Sequence, residues 1–447
     1  MAGPKRPLLA TCGSLILAAV CGCGSTYRPV VAPINPTGPA PQPNLLVSVL
    51  SLQNPPGQPA LAATPGVATI LDFSGDSIVA QAYVGPGPTG FAVSADGGSA
   101  YTVNNDNTLS SFGVSANLMT KNVQVTTLLP STTTSNISAV SGAIYLANAA
   151  QNEIDYLTGT PVSFKQSVAV GLGPVTVVGI SPAQRVYSIS QMVPLDQNTG
   201  GTVTPGACSN PTAVSTPGNI YTIETSTNTV SNVIPAGICP VYGVASPDNR
   251  RVFVLNRGDG TVTVINSQTN AFDRTIKVGA GPVYAELYQT ASILVTANYD
   301  SNTVNFIDVS TDVYGNDSPT FGNVLATVPV GFHPATVAVM QDGSRAYTAN
   351  EGDGTVSVID MTSFQVKKTI PVIGHPRSVA AVSNSLIGKV YVTSPNSSQV
   401  TIIRTDTDTV TATVQLPGNV VELHPSAQST GGRNAINTSR IPGSGTP

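Results

Sequence analysis

Two long segments of this chain repeat one another, and this internal repeat restricts the fold more than any other feature. Residues 246–282 read SPDNRRVFVLNRGDGTVTVINSQTNAFDRTIKVGAGP, and residues 340–376 read MQDGSRAYTANEGDGTVSVIDMTSFQVKKTIPVIGHP. The segments align without a gap, so that Asn256 corresponds to Asn350, and a third copy lies between them at residues 292–334. A period of about 40 residues made of short strands and turns is typical of a β-propeller.

Each copy contains the pattern of four short strands. A turn ending in proline leads into an apolar first strand, and the second strand ends in asparagine. A Gly/Asp turn, an alternating third strand and a fourth strand follow. In the third strand, Val356 and Val358 face one side of the sheet while Ser357 and Ile359 face the other. We therefore expect four antiparallel strands, joined by hairpins, in each unit.

Counting these units predicts an all-β chain that forms a single β-propeller over residues 44–424. The complete units cover residues 88–130, 134–170, 174–237, 240–279, 282–331, 334–374 and 376–417. Residues 44–85 contain three further candidate strands, and residues 419–423 contain one. Together they predict an eighth blade, closed between the two ends of the chain, which would leave no open sheet edge. The alternative is seven blades with the N-terminal strands as an accessory layer.

The second strands carry a recurrent tetrapeptide. It reads YTVN at 101–104, YLAN at 145–148, FVLN at 253–256, VTAN at 295–298, YTAN at 347–350 and YVTS at 391–394. These tetrapeptides resemble the bacterial YVTN β-propeller repeat family. The resemblance runs over about residues 88–417 and is strongest over 241–376. It implies a propeller fold and export from the cytoplasm. It implies no particular activity, because members of the family lack a common one.

The N-terminus predicts an exported lipoprotein. Lys5 and Arg6 precede an apolar stretch, residues 8–20, which is too short for a membrane-spanning helix of about 20 residues but suits a signal peptide. Residues 20–25, VCGCGS, resemble a lipobox, and Cys23 is the predicted lipidation site, with residues 1–22 as the signal peptide. Cys21 is the second candidate, and an ordinary cleaved signal peptide is the alternative.

The two ends of the mature chain predict its orientation. Residues 23–43 are Pro-rich and predict an extended tether, and residues 425–447 predict a disordered tail. Because strands alternate in direction, the loops after second and fourth strands share one side of the ring, here called the upper face. A chain that enters before a second strand and leaves after a first strand has both ends on the opposite, lower face. The lipid anchor would then hold the lower face toward the membrane.

Two cysteines predict a disulfide on the upper face. Residues 191–218 are too long for an ordinary turn after a second strand and contain Cys208. Cys239 follows the fourth strand of the same unit. Both loops lie on the upper face, and export implies an oxidising compartment, so we expect a Cys208–Cys239 bond. The alternative is two free buried thiols.

Five residues are candidate ligand-binding groups on the upper face. His333 and His375 precede Pro334 and Pro376 at equivalent positions of adjacent units, and carboxylates lie in nearby turns. These carboxylates are Asp259, Asp300 and Asp353. The alternative interpretation is that histidine is merely tolerated at this repeat position and that Asp259 and Asp353 close hairpin turns. No loop holds two ligands at metal spacing, so no metal or cofactor is predicted.

Composition and motifs exclude several functions. Only 9% of the residues are charged and the formal net charge is −4, which argues against nucleic-acid binding. The chain lacks the sequence motifs of covalent haem attachment, of the nucleophile elbow, of zinc proteases and of phosphate-binding loops. The sequence favours a scaffold that binds protein or glycan through its upper-face loops. The alternative is a lactonase-like hydrolase with a carboxylate or histidine site at the channel mouth, so enzyme activity stays open.

Overall fold

The structure is a computed structural model. It describes residues 46–54, 64–88, 90–94, 98–114, 124–127, 134–140, 142–180, 184–195, 197–199, 202–204, 206–288, 292–383 and 388–425. The predicted signal peptide, Cys23, the tether and nearly all of the predicted tail lie outside these residues. Within the described part of the chain, no helix has the length and apolar character needed to cross a membrane.

The described residues form an eight-bladed β-propeller, with four antiparallel strands in each blade. Blade 1 contains β4 (Gly90–Val93), β5 (Ser99–Val103), β6 (Thr108–Gly113) and β7 (Gln124–Thr127). Blade 2 contains β8 (Thr134–Val140), β9 (Ala143–Asn148), β10 (Glu153–Thr158) and β11 (Ser163–Ala169). Blade 3 contains β12 (Pro174–Ile180), β13 (Arg185–Ser190), β16 (Pro217–Glu224) and β17 (Thr229–Ile238). Blade 4 contains β18 (Pro240–Ala245), β19 (Arg251–Asn256), β20 (Thr261–Asn266) and β21 (Ala271–Lys277).

The remaining blades follow the same order. Blade 5 contains β22 (Pro282–Tyr288), β23 (Ile293–Asn298), β24 (Thr303–Asp308) and β25 (Val324–Pro329). Blade 6 contains β26 (Pro334–Val339), β27 (Arg345–Asn350), β28 (Thr355–Asp360) and β29 (Gln365–Pro371). Blade 7 contains β30 (Ser378–Ser383), β31 (Gly388–Thr393), β32 (Gln399–Arg404) and β33 (Thr409–Gln415). Blade 8 contains β34 (Val420–Pro425), β1 (Leu46–Leu52), β2 (Pro65–Asp72) and β3 (Ser77–Pro86).

Blade 8 closes the ring as the sequence predicts, and the seven-bladed alternative is wrong. β34 pairs antiparallel with β1, and the register places Pro425 opposite Val47. The backbone amide of Leu52 donates to the carbonyl of Asn419 at 2.8 Å. Since Pro425 ends a first strand and Val47 lies near the start of a second strand, the described ends of the chain share the lower face. The 191–218 segment follows a second strand and therefore lies on the upper face.

In several blades, one aromatic residue near the middle of the second strand packs against the neighbouring blade. Tyr145, Tyr187, Tyr347 and Tyr391 are fully buried, and burying such a side chain contributes about 2–3 kcal/mol. The Tyr347 hydroxyl bonds Asp408 of the next blade at 2.8 Å, and the Tyr145 hydroxyl bonds Asn228 at 3.0 Å. Burial raises the pKa of Tyr145 to about 12, so this phenol stays neutral. The aromatic position therefore supplies both packing and a polar link between blades.

Two insertions with described residues depart from the regular repeat. The upper-face segment in blade 3 contains a small hairpin, β14 (Gln197–Thr199) and β15 (Thr202–Thr204), followed by two short 3-10 helices. The second insertion, residues 309–323 between β24 and β25, lies on the lower face and was missed by the sequence analysis. Asp317 within it pairs with Arg251 and Arg274 of blade 4, and its first residue, Val309, lines a cavity of about 150 Å³.

Candidate functional site

The predicted disulfide joins the upper-face insertion to the start of blade 4. Cys208 and Cys239 are bonded, their Cα atoms lie 5.6 Å apart, and both residues are buried. The alternative of two free thiols is therefore wrong. Cys239 has a φ of 50°, a left-handed conformation that non-glycine residues adopt rarely. The bond ties the inserted segment, through Cys208, to the loop that leads into blade 4.

The loops that enter the first strands share a backbone frame. In this frame, the residue that follows the last residue of the second strand donates its amide proton to the backbone carbonyl of the residue that precedes proline. Arg257 donates to Cys239 at 2.9 Å, and Glu351 donates to His333 at 3.0 Å. Equivalent positions of different blades therefore have the same backbone arrangement on the upper face, but they carry different side chains.

Asp259 and Asp353 serve this frame as turn residues. Oδ2 of Asp259 accepts from the amide of Ile238, and Oδ2 of Asp353 accepts from the amide of Phe332, both at 3.0 Å. The other oxygen of Asp353 accepts from the Thr355 hydroxyl at 2.7 Å. The structure places both carboxylates in turn hydrogen bonds, which is the alternative that the sequence analysis gave for them.

Asp300, the third candidate carboxylate, is paired across two blades. Both of its oxygens accept hydrogen bonds from Arg257, at 2.8 and 3.1 Å. The Arg257 side chain is only 4% exposed, whereas that of Asp300 is 34% exposed. A two-point pair of this kind is stronger and more directional than a single contact. It neutralises the Asp300 charge at the junction of blades 4 and 5.

His333 lies against a buried tyrosine. Its imidazole stacks on the Tyr299 ring with 4.5 Å between centroids and an interplanar angle of 6°. The Arg257 guanidinium also lies over the Tyr299 ring, 5.4 Å from its centroid. Burial, and secondarily the charge of Glu351, raises the pKa of Tyr299 to about 12. Tyr299 is therefore a neutral support for the exposed imidazole.

A second ion pair joins blades 6 and 7. Arg377 donates through Nε to Oε1 of Glu351 at 2.9 Å, and its Nη2 contacts the same oxygen. Both side chains are about nine-tenths buried, at 9% and 10% exposure. Nδ1 of His375 lies 2.8 Å from the Glu351 carbonyl oxygen. Sequence reasoning missed this pair. A signal for the pair was present in the sequence, because Glu351 occupies the repeat position at which blade 4 has the oppositely charged Arg257.

These residues of the upper face are here called the upper-face arc. Its members are Cys239, Arg257, Tyr299, Asp300, His333, Glu351, His375 and Arg377. The arc runs over blades 4 to 7, and its two arginines are matched by two carboxylates. Among the described residues, no group of three or more histidine, cysteine, aspartate or glutamate side chains is placed to hold a metal ion. The two histidines are exposed but have different partners.

Two buried atoms in the arc have unused hydrogen-bonding capacity. Nη1 of Arg257 and Oε2 of Glu351 find no hydrogen-bond partner within the described part of the chain. Leaving such a buried group unpaired costs about 1–3 kcal/mol, and native proteins contain few of them. The charged groups of the arc thus bond mainly to one another. One buried donor, on Arg257, and one buried acceptor, on Glu351, remain unpaired among the described residues.

Comparison with known proteins shows the fold. No protein-family model and no curated protein matches the chain. The structure of apo AztD from Citrobacter koseri is similar, with a TM-score of 0.55 and 14% identity over 85% of this chain and 96% of that one. The structure of dihydro-heme d1 dehydrogenase NirN in complex with DHE is similar with a TM-score of 0.63 and 12% identity, over 88% and 77%. These are β-propeller proteins, and at such identities the likeness extends to the fold alone.

Proposed function

We propose that this protein is a lipid-anchored, extracytoplasmic β-propeller of the YVTN-repeat type that binds a protein or a glycan through its upper-face loops. The observation that carries the proposal is the separation of the two faces. The disulfide-pinned insertion and the upper-face arc lie on one face, and the described ends of the chain lie on the other. A tether attached at the lower face would leave the upper face free for recognition, which usually uses loops on a rigid scaffold.

Two observations support the proposed location. Disulfides persist in oxidising compartments, so the Cys208–Cys239 bond agrees with export. The basic and apolar N-terminal sequence before Cys23 agrees with a lipoprotein signal. We propose a membrane-anchored lipoprotein that faces the periplasm or the cell exterior and contacts the membrane only through its lipid. The proposal involves no nucleic acid and no cofactor.

The anchor is tested by replacing its cysteine. Cells that express the full chain are labelled with a radioactive fatty acid and separated into membrane and soluble fractions. We expect label on the parent protein and on C21S, and we expect Cys23→Ser to lose the label and move to the soluble fraction. Label that persists on C23S would contradict the proposed anchor site.

Binding is tested by a pull-down from envelope extract with residues 24–447 as bait. A second bait lacks residues 191–218 and carries Cys239→Gly, because a free thiol would otherwise remain and because Gly281 occupies the same position of the next blade. A third bait, V313S/Y314S, alters the exposed tip of the lower-face insertion as a matched control. We expect partners that bind the first and third baits and fail to bind the second. Equal recovery by all three would remove the insertion from the proposed function.

One observation favours the alternative, a lactonase-like hydrolase. Oε2 of Glu351 is buried and has no hydrogen-bond partner among the described residues. Nδ1 of His375 lies 2.8 Å from the backbone carbonyl oxygen of Glu351, and burial, and secondarily the charge of Glu351, raises the pKa of Tyr299. A buried carboxylate beside other ionisable groups is a common feature of catalytic sites. Hydrolysis of a lactone panel by the parent protein, abolished in Glu351→Gln, would support this alternative. No hydrolysis by the parent protein would exclude the alternative, and equal measurable rates for both proteins would exclude Glu351 as its catalytic residue.

A further inference from the structure

One loop of the upper face, residues 330–334, differs in sequence from the equivalent loop of the preceding blade. Residues 330–334 read VGFHP, whereas the equivalent residues 278–282 of the preceding blade read VGAGP. His333 has a φ of 54° and Gly281 a φ of 68°, so both occupy the left-handed region. Glycine adopts this conformation at little cost, while other residues pay about 1 kcal/mol or more. Cys239, at the same position of an earlier blade, uses its side chain in the disulfide. We therefore expect that the His333 side chain has a function that offsets its less favourable backbone conformation.

The two exchanged side chains are adjacent in the chain, and both are accessible to solvent. Phe332 is 61% exposed, and His333 is exposed although its imidazole stacks on Tyr299. Because His333 is exposed while one face of its ring is covered by Tyr299, part of the imidazole remains accessible to a ligand. Flat rings of this kind bind apolar faces and still offer polar edges.

The backbone holds this surface rigidly. The amide of Phe332 donates to Asp353 at 3.0 Å, and the amide of His333 donates to Asn302 at 2.9 Å. The carbonyl oxygens of the same two residues accept from Gly352 and Glu351, at 2.9 and 3.0 Å. A ligand that binds here would order little of the loop, which lowers the entropic cost of binding.

The charges around the surface are already paired. Asp300 is bound by Arg257, Glu351 is bound by Arg377, and Asp353 accepts from a backbone amide and a hydroxyl. The surroundings therefore offer hydrogen-bond acceptors but no excess charge that would attract an ionic ligand. A neutral sugar ring has the matching chemistry, because its C–H face is apolar and its hydroxyl groups donate hydrogen bonds.

We propose that Phe332 and His333 form a stacking platform for a sugar ring of a neutral glycan. This inference rests on the proposed function and selects glycan over protein as the ligand of this part of the upper face. Asp300 directly follows Tyr299, on which the His333 imidazole stacks, and its carboxylate is 34% exposed. We expect this carboxylate to accept hydrogen bonds from the sugar hydroxyls.

The test exchanges the platform for the sequence of the preceding blade. The double variant F332A/H333G converts VGFHP into VGAGP and keeps the backbone frame. Residues 24–447 and this variant are applied to an array that carries neutral glucan, mannan, galactan and chitin oligomers beside sialylated and sulfated glycans. Leu172→Ala is the matched control, since Leu172 is an exposed apolar residue at the same loop position of blade 3. Urea unfolding checks that every variant is folded.

We expect the parent protein and L172A to bind neutral oligomers alike, and we expect F332A/H333G to bind them roughly tenfold more weakly or not at all. Retention on charged glycans only, or equal binding by the double variant, would overturn the proposal. An array without binding would overturn it as well. If the envelope pull-down still depends on the insertion in that case, the proposed scaffold function stands. A protein partner whose capture requires Phe332 and His333 would show that the platform serves a peptide instead.

Discussion

Two loops of the upper face have the same backbone and different chemistry. In residues 238–261 and in residues 332–355, three corresponding amides donate to corresponding acceptors, and the corresponding distances agree within 0.1 Å. Cys239 and His333, which occupy equivalent positions, have φ values of 50° and 54°. Yet Cys239 is bonded to an inserted segment, while His333 carries an exposed ring stacked on Tyr299.

The comparison shows which part of the repeat is constant. Backbone hydrogen bonds and the turn aspartates form the frame, and they do not depend on the side chains that project from it. The residues before proline and after asparagine project from the frame and vary. Arg257 and Glu351 occupy the same position with opposite charges, and each finds its counter-ion on the following blade. The repeat thus fixes positions, and substitution at those positions supplies the chemistry.

The largest expected effect distinguishes these two ion pairs. Glu351→Met retains the side-chain stem but leaves Arg377 buried without a counter-ion, which should reduce the free energy of unfolding by about 3–5 kcal/mol. Arg257→Met leaves Asp300, which is one-third exposed and can be hydrated, so we expect a loss of about 1 kcal/mol. Urea unfolding of the two variants measures both values. Equal losses would show that the pairs are energetically alike.

The second prediction concerns the bond at Cys239. Replacing both cysteines, as C208S/C239S, removes a cross-link between residues 31 positions apart. The chain-entropy relation then predicts a loss of about 3–4 kcal/mol. The double replacement avoids a free thiol. Thermal and urea unfolding, compared with the oxidised parent protein, measure the loss, and the reduced parent serves as a control. A variant as stable as the oxidised parent would show that the disulfide restrains only the insertion and not the folded ring.

The third prediction compares equivalent residues in the third strands of blades 2 and 5. Asp155 in blade 2 and Asn305 in blade 5 are equivalent, and each accepts from the asparagine that ends its second strand. Burial raises the pKa of Asp155 to about 6, so the folded state binds an extra proton between pH 3.8 and 6. Stability should therefore fall as pH rises through this window, by at most about 3 kcal/mol.

Asp155→Asn copies the arrangement of blade 5, where Asn305 also donates to Thr327 at 2.7 Å. We expect this variant to be more stable than the parent at pH 7 and equal to it near pH 4. Urea unfolding at a series of pH values measures the difference. A parent protein with no loss of stability across the window, or a variant with the same loss, would contradict the assignment to Asp155.

The smallest expected effect tests the strain at His333. Histidine in the left-handed conformation is less favourable than glycine, so His333→Gly should change the free energy of unfolding by about +0.5 to +1 kcal/mol, less the lost contact with Tyr299. Gly281→Ala in the preceding blade is the matched reverse change and should destabilise, since a Cβ there would lie 2.1 Å from the Asp300 carboxylate. A large loss of stability in H333G would indicate a structural role for the imidazole.

Much of the fold could be predicted from the sequence because propeller blades are local. Each strand pairs with a neighbour in the chain across a short turn, so the repeat pattern reveals blade boundaries to within a few residues. Among the described strands, the closing pair of β34 and β1 joins the two ends of the chain, and the strand count favoured it over the seven-bladed alternative. Sequence reasoning did not find the lower-face insertion, residues 309–323, because its Asp-rich segment resembles an ordinary turn region.

The candidate site was predicted only in part. The sequence analysis assigned His333, His375, Asp259, Asp300 and Asp353 to upper-face loops, which agrees with the strand topology. Their partners could not be read from the sequence, and their role in binding a ligand stays a prediction. The pairing of Glu351 with Arg377 joins residues of adjacent blades, and whether a side chain turns toward the next blade depends on packing. The sequence analysis therefore identified positions on the face without identifying the contacts between them.

By itself, the sequence determined the four-stranded repeat and the alternation of loops between the two faces, and it favoured eight blades over seven. The repeat and the alternation follow from hydrogen bonds between strands that are close in the chain, whereas the closure of the ring joins β34 to β1 at the opposite end of the chain. The tertiary structure alone decided which charges neutralise one another, which aspartates serve the turns and which ring is left open to a ligand. Those outcomes depend on the distance between neighbouring blades, which is set by the packing of buried side chains such as Tyr347 and Tyr391.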